Sequence, residues 1–165
     1  MYKYSIITYL IIAVLLSGCG FQLRGNIDLP SDLKQVSVVS QKYSDLVKNI
    51  SQRFSNNDIQ VVNKSDRNLY RVKIVSEVFN RRQLSINISG RVNEYELIYN
   101  VTYQISSPDK KSKEETLSLY RDYSFDENNI MGNTDREAQI KKEMTSNAAS
   151  LIFTKLIARI KNQDL

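Results

Sequence analysis

Apolar and polar residues alternate through the middle of the chain. From position 95 to 105 every second residue is large and apolar, and those between are mostly polar; the apolar set is Tyr95, Leu97, Tyr99, Val101, Tyr103 and Ile105. Successive side chains of a strand point to opposite sides of its sheet, so this pattern predicts a strand with one buried face. The tyrosines could instead stack on sugars, but their alternation with aliphatic residues favours the core.

Three other segments show the same period of two. Val36 and Val38 mark a short strand within residues 34–39. In the next segment one face is predicted to carry Tyr70, Val72, Ile74 and Val78, and the other Arg71, Lys73 and Glu77. Ser89-Gly90 supplies turn residues, so residues 69–106 are predicted to form one long antiparallel hairpin. After a turn at 108–111, a last strand is predicted from Leu117, Leu119, Tyr123 and Phe125.

Two segments have the three- and four-residue spacing of amphipathic helices. The first starts at Ser44-Asp45 and ends at Asn56-Asn57, and its apolar positions are Tyr43, Leu46, Val47, Ile50 and Phe54. The second is predicted to begin at Asn133-Thr134-Asp135, with an apolar sector of Ile140, Met144, Ala148, Leu151 and Ile152. Apolar residues between 151 and 160 spread around this helix, which predicts contacts beyond its own sheet.

The order of these elements is strand, helix, three strands, helix. It predicts an α+β fold in which a four-stranded mixed sheet has two helices packed on one face. The opposite face is expected to carry the polar residues of the strands, including Glu94, Glu96, Asn100 and Thr102. Residues 31–165 are expected to form a single domain, because this length suits one hydrophobic core and leaves little room for two.

The first 18 residues have the layout of a secretory signal peptide. Lys3 precedes an apolar stretch from Ile6 to Leu16, which is too short to span a bilayer. The tetrapeptide Leu16-Ser17-Gly18-Cys19 looks like a bacterial lipobox. Residues 19–30 are therefore expected to be a tether, acylated at Cys19 and fixed to a membrane. The alternative is a common signal peptide with a chance cysteine at the cleavage point. By resemblance to lipoproteins of Gram-negative bacteria, Gly20 after the cysteine implies sorting to the outer membrane.

Composition restricts the chemistry that the chain can perform. The sequence has no histidine and one cysteine, Cys19, so an acylated chain would offer neither imidazole nor thiol. Disulfides and the usual zinc or copper sites are excluded on that basis, and the five glycines form no phosphate-binding loop. We therefore predict no enzyme activity, no metal and no cofactor. The net charge of +5 is compatible with an anionic partner.

The segment Cys19-Gly20-Phe21-Gln22-Leu23-Arg24-Gly25, with Leu29-Pro30 after it, resembles the opening of the LPS-assembly lipoprotein family LptE. Further family motifs are similar, in order, to Glu94-Tyr95-Glu96-Leu97, to Arg121-Asp122-Tyr123-Ser124-Phe125-Asp126, and to the helix containing Lys142-Glu143-Met144, Ala148-Ala149 and Lys155-Leu156. The resemblance implies a lipoprotein on the periplasmic side of the outer membrane. It also implies two partners: the LptD β-barrel, which the lipoprotein plugs and helps to assemble, and lipopolysaccharide. No nucleic-acid partner is expected.

Basic residues near the hairpin turn are candidates for binding lipopolysaccharide. Arg81, Arg82 and Arg91 flank the turn, and a guanidinium group can grip a phosphate through two donors. Neighbouring residues of a regular strand face opposite ways, so Arg91 with either Arg81 or Arg82 is the expected pair. The alternative is that these charges only keep the hairpin from pairing edge to edge. The lysines at 110, 111, 113, 141 and 142 are expected to be ordinary solvated charges.

Two other functional classes remain open at the level of sequence. Glu94 and Glu96 would lie about 7 Å apart on one strand face, a separation that glycoside hydrolases use. A cell-wall glycosidase is disfavoured because no second polar cluster or cleft accompanies them. The other class is a structural lipoprotein of a different envelope machine, which identification of its partner would distinguish.

Overall fold

The computed structural model describes residues 29–30, 33–108 and 113–162. The signal peptide, Cys19 and the tether up to residue 28 lie outside these residues, as do Lys110 and Lys111. The elements in chain order are β1 (Gln35–Ser40), α1 (Asp45–Ser55), β2 (Gln60–Val62), β3 (Tyr70–Ile86), β4 (Val92–Ser106), β5 (Glu115–Ser124) and α2 (Ile130–Asn162).

The strands form one mixed sheet in the order β2-β1-β3-β4-β5. β1 runs parallel to both β2 and β3, whereas β3, β4 and β5 form an antiparallel meander. The predicted α+β class is confirmed, but the sheet has five strands in the described residues rather than four. The additional strand is β2. With three residues, Gln60–Val62, it is too short to display an alternation.

Both helices begin at side-chain caps. The Ser44 hydroxyl accepts a hydrogen bond from the Val47 N–H at 3.4 Å, and α1 begins at Asp45 as predicted. Tyr43, assigned to the apolar face of this helix, precedes it and is exposed. The Asn129 side chain accepts from the Gly132 N–H at 3.0 Å, so α2 starts at Ile130, three residues earlier than expected.

The core lies between the helices and one face of the sheet. Phe54 of α1 contacts Phe153 of α2, with ring centroids 4.9 Å apart, which confirms contacts of the second helix beyond its own sheet. The inward face of β4 is the predicted one, since Leu97, Tyr99, Val101, Tyr103 and Ile105 are all buried. Leu151, predicted to lie in the apolar sector of α2, is instead about half exposed.

An irregularity in β3 changes which residues face the helices. Ile74 pairs with Tyr103 and Ser76 pairs with Thr102, so Val75 has no partner on β4 and the alternation shifts by one. From Glu77 to Gln83 the odd-numbered residues face the helices, as Glu77 and Phe79 do; a second irregularity between Gln83 and Ser85 shifts the alternation again. The prediction for this strand is therefore correct up to Ile74 and wrong for Glu77 and Val78.

The long hairpin β3–β4 gives the molecule two distinct ends. We call the end where β1 and β3 begin the base end; Glu115 at the start of β5 is held there by Lys155 and Arg159 of α2. The other end, with residues 84–92 and 125–131, is the tip end. β3 has 17 residues, and strands rise about 3.3 Å per residue, so the two ends are roughly 55 Å apart.

Candidate functional site

A tight turn closes the hairpin at the tip end. The Gly90 N–H donates to the Asn87 carbonyl at 2.9 Å, and Gly90 has φ +75, a conformation that glycine adopts without steric cost. The Asn87 side chain accepts from the backbone N–H groups of Ser89 and Arg91, each at 3.0 Å. These bonds fix the turn, which confirms the predicted position of the reversal.

Exposed apolar side chains gather at this end. Nine large apolar side chains are exposed in the described part of the chain, and five lie here: Leu84, Ile86, Ile88, Ile130 and Met131. Three of these residues belong to the hairpin, and Ile130 and Met131 belong to the first turn of α2; the loop after β5 holds both sets at the same end, because the Phe125 N–H donates to the Asn93 carbonyl at 2.9 Å. Several large apolar side chains exposed at one end are typical of a contact site.

Arg81 is built into the interface between the sheet and α2. It donates to Glu137 at 2.8 Å, and its guanidinium lies 4.4 Å from the centroid of the Tyr95 ring. Glu137 also accepts from Tyr123 at 2.7 Å and is paired with Lys141 at 2.6 Å. Burial alone would raise the pKa of Glu137, but the bonds from Lys141, Tyr123 and Arg81 outweigh it and hold the pKa at about 2.

Arg82 and Arg91 are more exposed to solvent than Arg81. Arg82 points to the open face of the sheet and donates to Glu96 at 2.5 Å, and its side chain is 63% exposed. Arg91 pairs with Glu127 and is 64% exposed. The three arginines predicted for lipopolysaccharide therefore do not share one surface: Arg81 faces the helices, Arg82 faces the opposite side, and each already contacts a carboxylate.

Tyr99 and Tyr103 of β4 lie in the core, as their alternation predicted, whereas Tyr95 is partly buried and packs against it. Tyr99 is fully buried and stacks on Phe79, with ring centroids 3.9 Å apart. Its hydroxyl donates to Glu77 at 2.7 Å, and burial together with this bond raises the pKa of Tyr99. Tyr103 is also buried, with the Lys155 ammonium 5.8 Å from its ring centroid. Sugar stacking on Tyr99 or Tyr103 would require the core to open.

The two carboxylates considered for glycosidase chemistry are engaged by their neighbours on the open face. Glu94 accepts from the Ser85 hydroxyl at 2.6 Å, and Glu96 is bound by Arg82 and is almost buried. Within the described residues, no group of three or more Cys, Asp or Glu residues could hold a metal ion. The arrangement offers binding chemistry: guanidinium groups next to exposed apolar side chains.

Sequence reasoning found the basic residues of the tip end and missed its apolar ones. Leu84, Ile86 and Ile88 continue the period of two beyond the buried part of β3, and that regular spacing was the available signal. Ile130 and Met131 could not be linked to them, because the approach of α2 to the turn depends on the tertiary fold. Lys141, expected to be solvated, is partly buried and bonded to Glu137.

Comparison with known proteins identifies the family. The family described as "LptE: Lipopolysaccharide-assembly" matches residues 33–156. The chain belongs to the LptE family. Its curated relatives carry the name LPS-assembly lipoprotein LptE. The protein of Photorhabdus laumondii is 29% identical over 65% of this chain and 60% of its own length; that of Yersinia enterocolitica is 29% identical over 92% and 76%, respectively.

A solved structure agrees with this LptE assignment. The crystal structure of the rare lipoprotein B from Shewanella oneidensis superposes with a TM-score of 0.73 at 25% sequence identity. The match covers 79% of this chain and 99% of that one. In the described residues, no helix is long and apolar enough to cross a membrane. The family, the lipoprotein class and the α+β fold inferred from the sequence are thus confirmed.

Proposed function

We propose that this chain is a lipoprotein of the outer membrane that plugs an LptD-like β-barrel, assists its assembly, and binds lipopolysaccharide during its insertion into the outer leaflet. The observation that carries the proposal is the family match over residues 33–156. The lipobox at Leu16-Ser17-Gly18-Cys19 adds an acyl anchor on the periplasmic side.

The tip end is the surface on which lipopolysaccharide binds. Lipopolysaccharide presents phosphates beside acyl chains, so its binding requires cations next to apolar side chains. Ile86 and Ile88 supply the apolar part and Arg91 supplies the nearest cation, and all three are exposed. Ile130 and Met131 extend the apolar surface from the first turn of α2.

Arg91 and Arg82 are better placed than Arg81 to bind phosphate. The Arg91–Glu127 pair is exposed and contributes about 0–1 kcal/mol, so a phosphate can displace Glu127 at little cost. Glu96 is buried, so Arg82 would keep its bond to Glu96 and bind a phosphate through its remaining donors. A guanidinium has five N–H donors, which leaves several for a second acceptor. Arg81 is instead held by Glu137 and packed on Tyr95, so moving it would disrupt the contact between the sheet and α2.

The open face of the sheet suits the lumen of a barrel. The interior wall of a membrane β-barrel is polar. On this face, neighbouring strands pair polar side chains: Ser118 donates to Asn100 at 2.6 Å, and the hydroxyls of Thr102 and Thr116 are 3.3 Å apart. Such a surface can exchange hydrogen bonds with a polar wall without exposing the core.

Neutralising Arg82 and Arg91, on either side of the hairpin turn, tests the lipid-binding part of the proposal. We expect Arg82→Gln with Arg91→Gln to weaken lipopolysaccharide binding at least tenfold, with unchanged circular dichroism and co-purification with the barrel, because a glutamine at 82 can still donate to the buried Glu96. Arg71→Glu is the control matched in net charge, because it also lowers the charge by two, on β3 at the base end. Wild-type binding should also weaken with salt, since exposed charges are screened beyond about 8 Å at physiological ionic strength. A monomeric double variant that binds like wild type would contradict the role of these arginines.

Affinity purification from outer membranes tests the partner and the anchor. The proposal predicts that a large β-barrel co-purifies with the wild-type protein. Cys19→Ala should leave uncleaved or mislocalised protein without acyl label. A different partner would favour the structural lipoprotein of another envelope machine, and normal acyl labelling of the Cys19→Ala variant would contradict the anchor.

A further inference from the structure

An open groove lies at the base end, beside the point where the chain enters the fold. Its volume is about 520 Å³, and its apolar walls are Leu33, Leu69, Tyr70 and Pro108, with Lys34 and Asn68 among its polar lining. This volume falls within the range of about 300–1,000 Å³ that is usual for ligand sites. The groove is formed at the first residues of β1, β2 and β3, at the opposite end of β3 from the hairpin turn.

The chain reaches this groove directly from the tether. Leu33 is buried, its N–H donates to the Pro30 carbonyl at 3.1 Å, and Leu29 packs against the core. The segment before Leu29 contains Phe21 and Leu23 separated by Gln22. In an extended segment, residues two apart point to the same side, about 6.6 Å from each other, so both could enter one groove.

We propose that the tether docks into this groove through Phe21 and Leu23. Ten residues separate Leu23 from Leu33, and an extended chain reaches at most about 36 Å over that length, enough to fold back onto the groove and too short to reach the tip end. Gly25 lies between the two apolar residues and Leu29 and supplies a residue that tolerates the reversal. Docking would place Cys19, two residues before Phe21, at the base end.

This docking is independent of lipopolysaccharide binding and of the identity of the barrel. The occupant is a segment of the same chain, because the groove adjoins the point where that segment enters the fold. Contact of Phe21 and Leu23 with the apolar walls of the groove would be favourable, because removal of apolar surface from water lowers the free energy. Docking would also set the distance between the lipid and the folded part of the protein.

Disulfide trapping in the full mature protein, purified from membranes in detergent, tests the proposal. We expect Leu23→Cys with Asn68→Cys to form an intramolecular disulfide on mild oxidation, seen as a reducible change in gel mobility and a mass loss of two hydrogens. Leu23→Cys with Ile88→Cys is the matched control and should not link within one molecule. Asn68→Cys alone controls for any reaction with Cys19.

A second measurement compares neighbouring positions of the tether. Phe21→Asp should lower the Tm of the mature protein by about 3 °C, as loss of roughly 1 kcal/mol does in a domain of this size. Gln22→Asp introduces the same charge one residue away and should leave the Tm unchanged. Equal Tm values for the two variants, trapping no faster than in the tip control, or a disulfide found only between two molecules would each overturn the proposal.

Discussion

The base half and the tip half of the β3–β4 hairpin follow the same alternating sequence pattern but are packed differently. In the base half, Val72 and Ile74 are buried beneath the helices, whereas in the tip half Leu84 and Ile86 are exposed. The difference follows from helix length. α1 has 11 residues and is about 16 Å long, and α2 has 33 residues and is about 50 Å long, so only α2 is long enough to follow the hairpin toward its tip.

The contacts made by the helices also change from apolar to polar between the base end and the tip end. Toward the base end the contacts between the helices are apolar, as between Phe54 and Phe153. Nearer the tip, α2 meets the sheet through the polar cluster of Glu137, Arg81 and Tyr123. The comparison indicates that the base half supplies most of the stability, and that the tip half is held by polar contacts and keeps its apolar side chains for a partner.

The largest expected effect is that of a charge placed in the base half. Val101 is fully buried on β4, so Val101→Asp would bury a carboxylate among apolar neighbours and should cost at least 4 kcal/mol, enough to unfold a marginally stable domain. Ile88→Asp introduces the same charge at the tip, where the side chain is fully exposed, and should change stability by less than about 0.5 kcal/mol. Chemical denaturation measures both; similar losses would contradict the division into two halves.

The polar cluster next to the tip predicts the second largest effect, and it depends on pH. The folded pKa of Glu137 is about 2, below its ordinary value of 4.5. A lowered folded pKa means that ionised Glu137 stabilises the protein fully above about pH 5, and that this contribution is lost as the pH falls from about 4.5 to 2. Because its partners are partly exposed, we expect Glu137→Gln to cost about 2 kcal/mol at pH 7.

The measurement for Glu137 is the free energy of unfolding between pH 2 and pH 7. Glu137→Gln should flatten the acid side of this profile relative to wild type. Glu143→Gln, on an exposed position of the same helix, should keep the wild-type slope. An unchanged slope in the Glu137 variant would show that Arg81 and Tyr123 do not depend on an ionised partner.

A smaller effect is expected from the hydroxyl at the centre of the sheet. Tyr99→Phe keeps the ring stacked on Phe79 but removes the bond to Glu77, so a loss of about 1 kcal/mol is expected. Tyr120 is exposed on the open face, and Tyr120→Phe should be nearly neutral. Thermal unfolding of both variants checks this, and a neutral Tyr99→Phe would mean that water replaces the hydroxyl at Glu77.

The sequence predicts the helices and strands of this fold better than it predicts which side chains of each strand point into the core. The regular alternation of β4 identifies Leu97 and Tyr99 as core residues because every position obeys one period. In β3 the extra residue Val75 shifts the period, and nothing in the local sequence marks it, so Glu77 and Val78 were assigned to the wrong sides. β2 was missed because three residues carry too little pattern.

The candidate site shows the same division between local and tertiary information. Arg81, Arg82 and Arg91 are visible as basic residues around a turn, but their roles depend on partners distant in sequence. Arg81 is committed to Glu137, 56 residues away, and Arg91 pairs with Glu127, 36 residues away. Only the folded arrangement separates the arginine that supports the structure from the two that remain candidates for a ligand.

The smallest expected effect on stability belongs to the apolar residues of the tip, and it sharpens the comparison most directly. Ile86→Ser with Ile88→Ser removes two exposed side chains that the core does not contact, so the free energy of unfolding should change by less than about 0.5 kcal/mol. If the tip half is kept apolar for lipopolysaccharide, the same variant should lose at least tenfold in binding, because each isoleucine contributes about 1.5–3 kcal/mol when fully buried against an acyl chain. Val78→Ser is the matched control, an exposed aliphatic residue of β3 on the open face. Equal binding by the two variants would move the lipid contact away from the tip, and a large loss of stability in the tip variant would show that this end is part of the core.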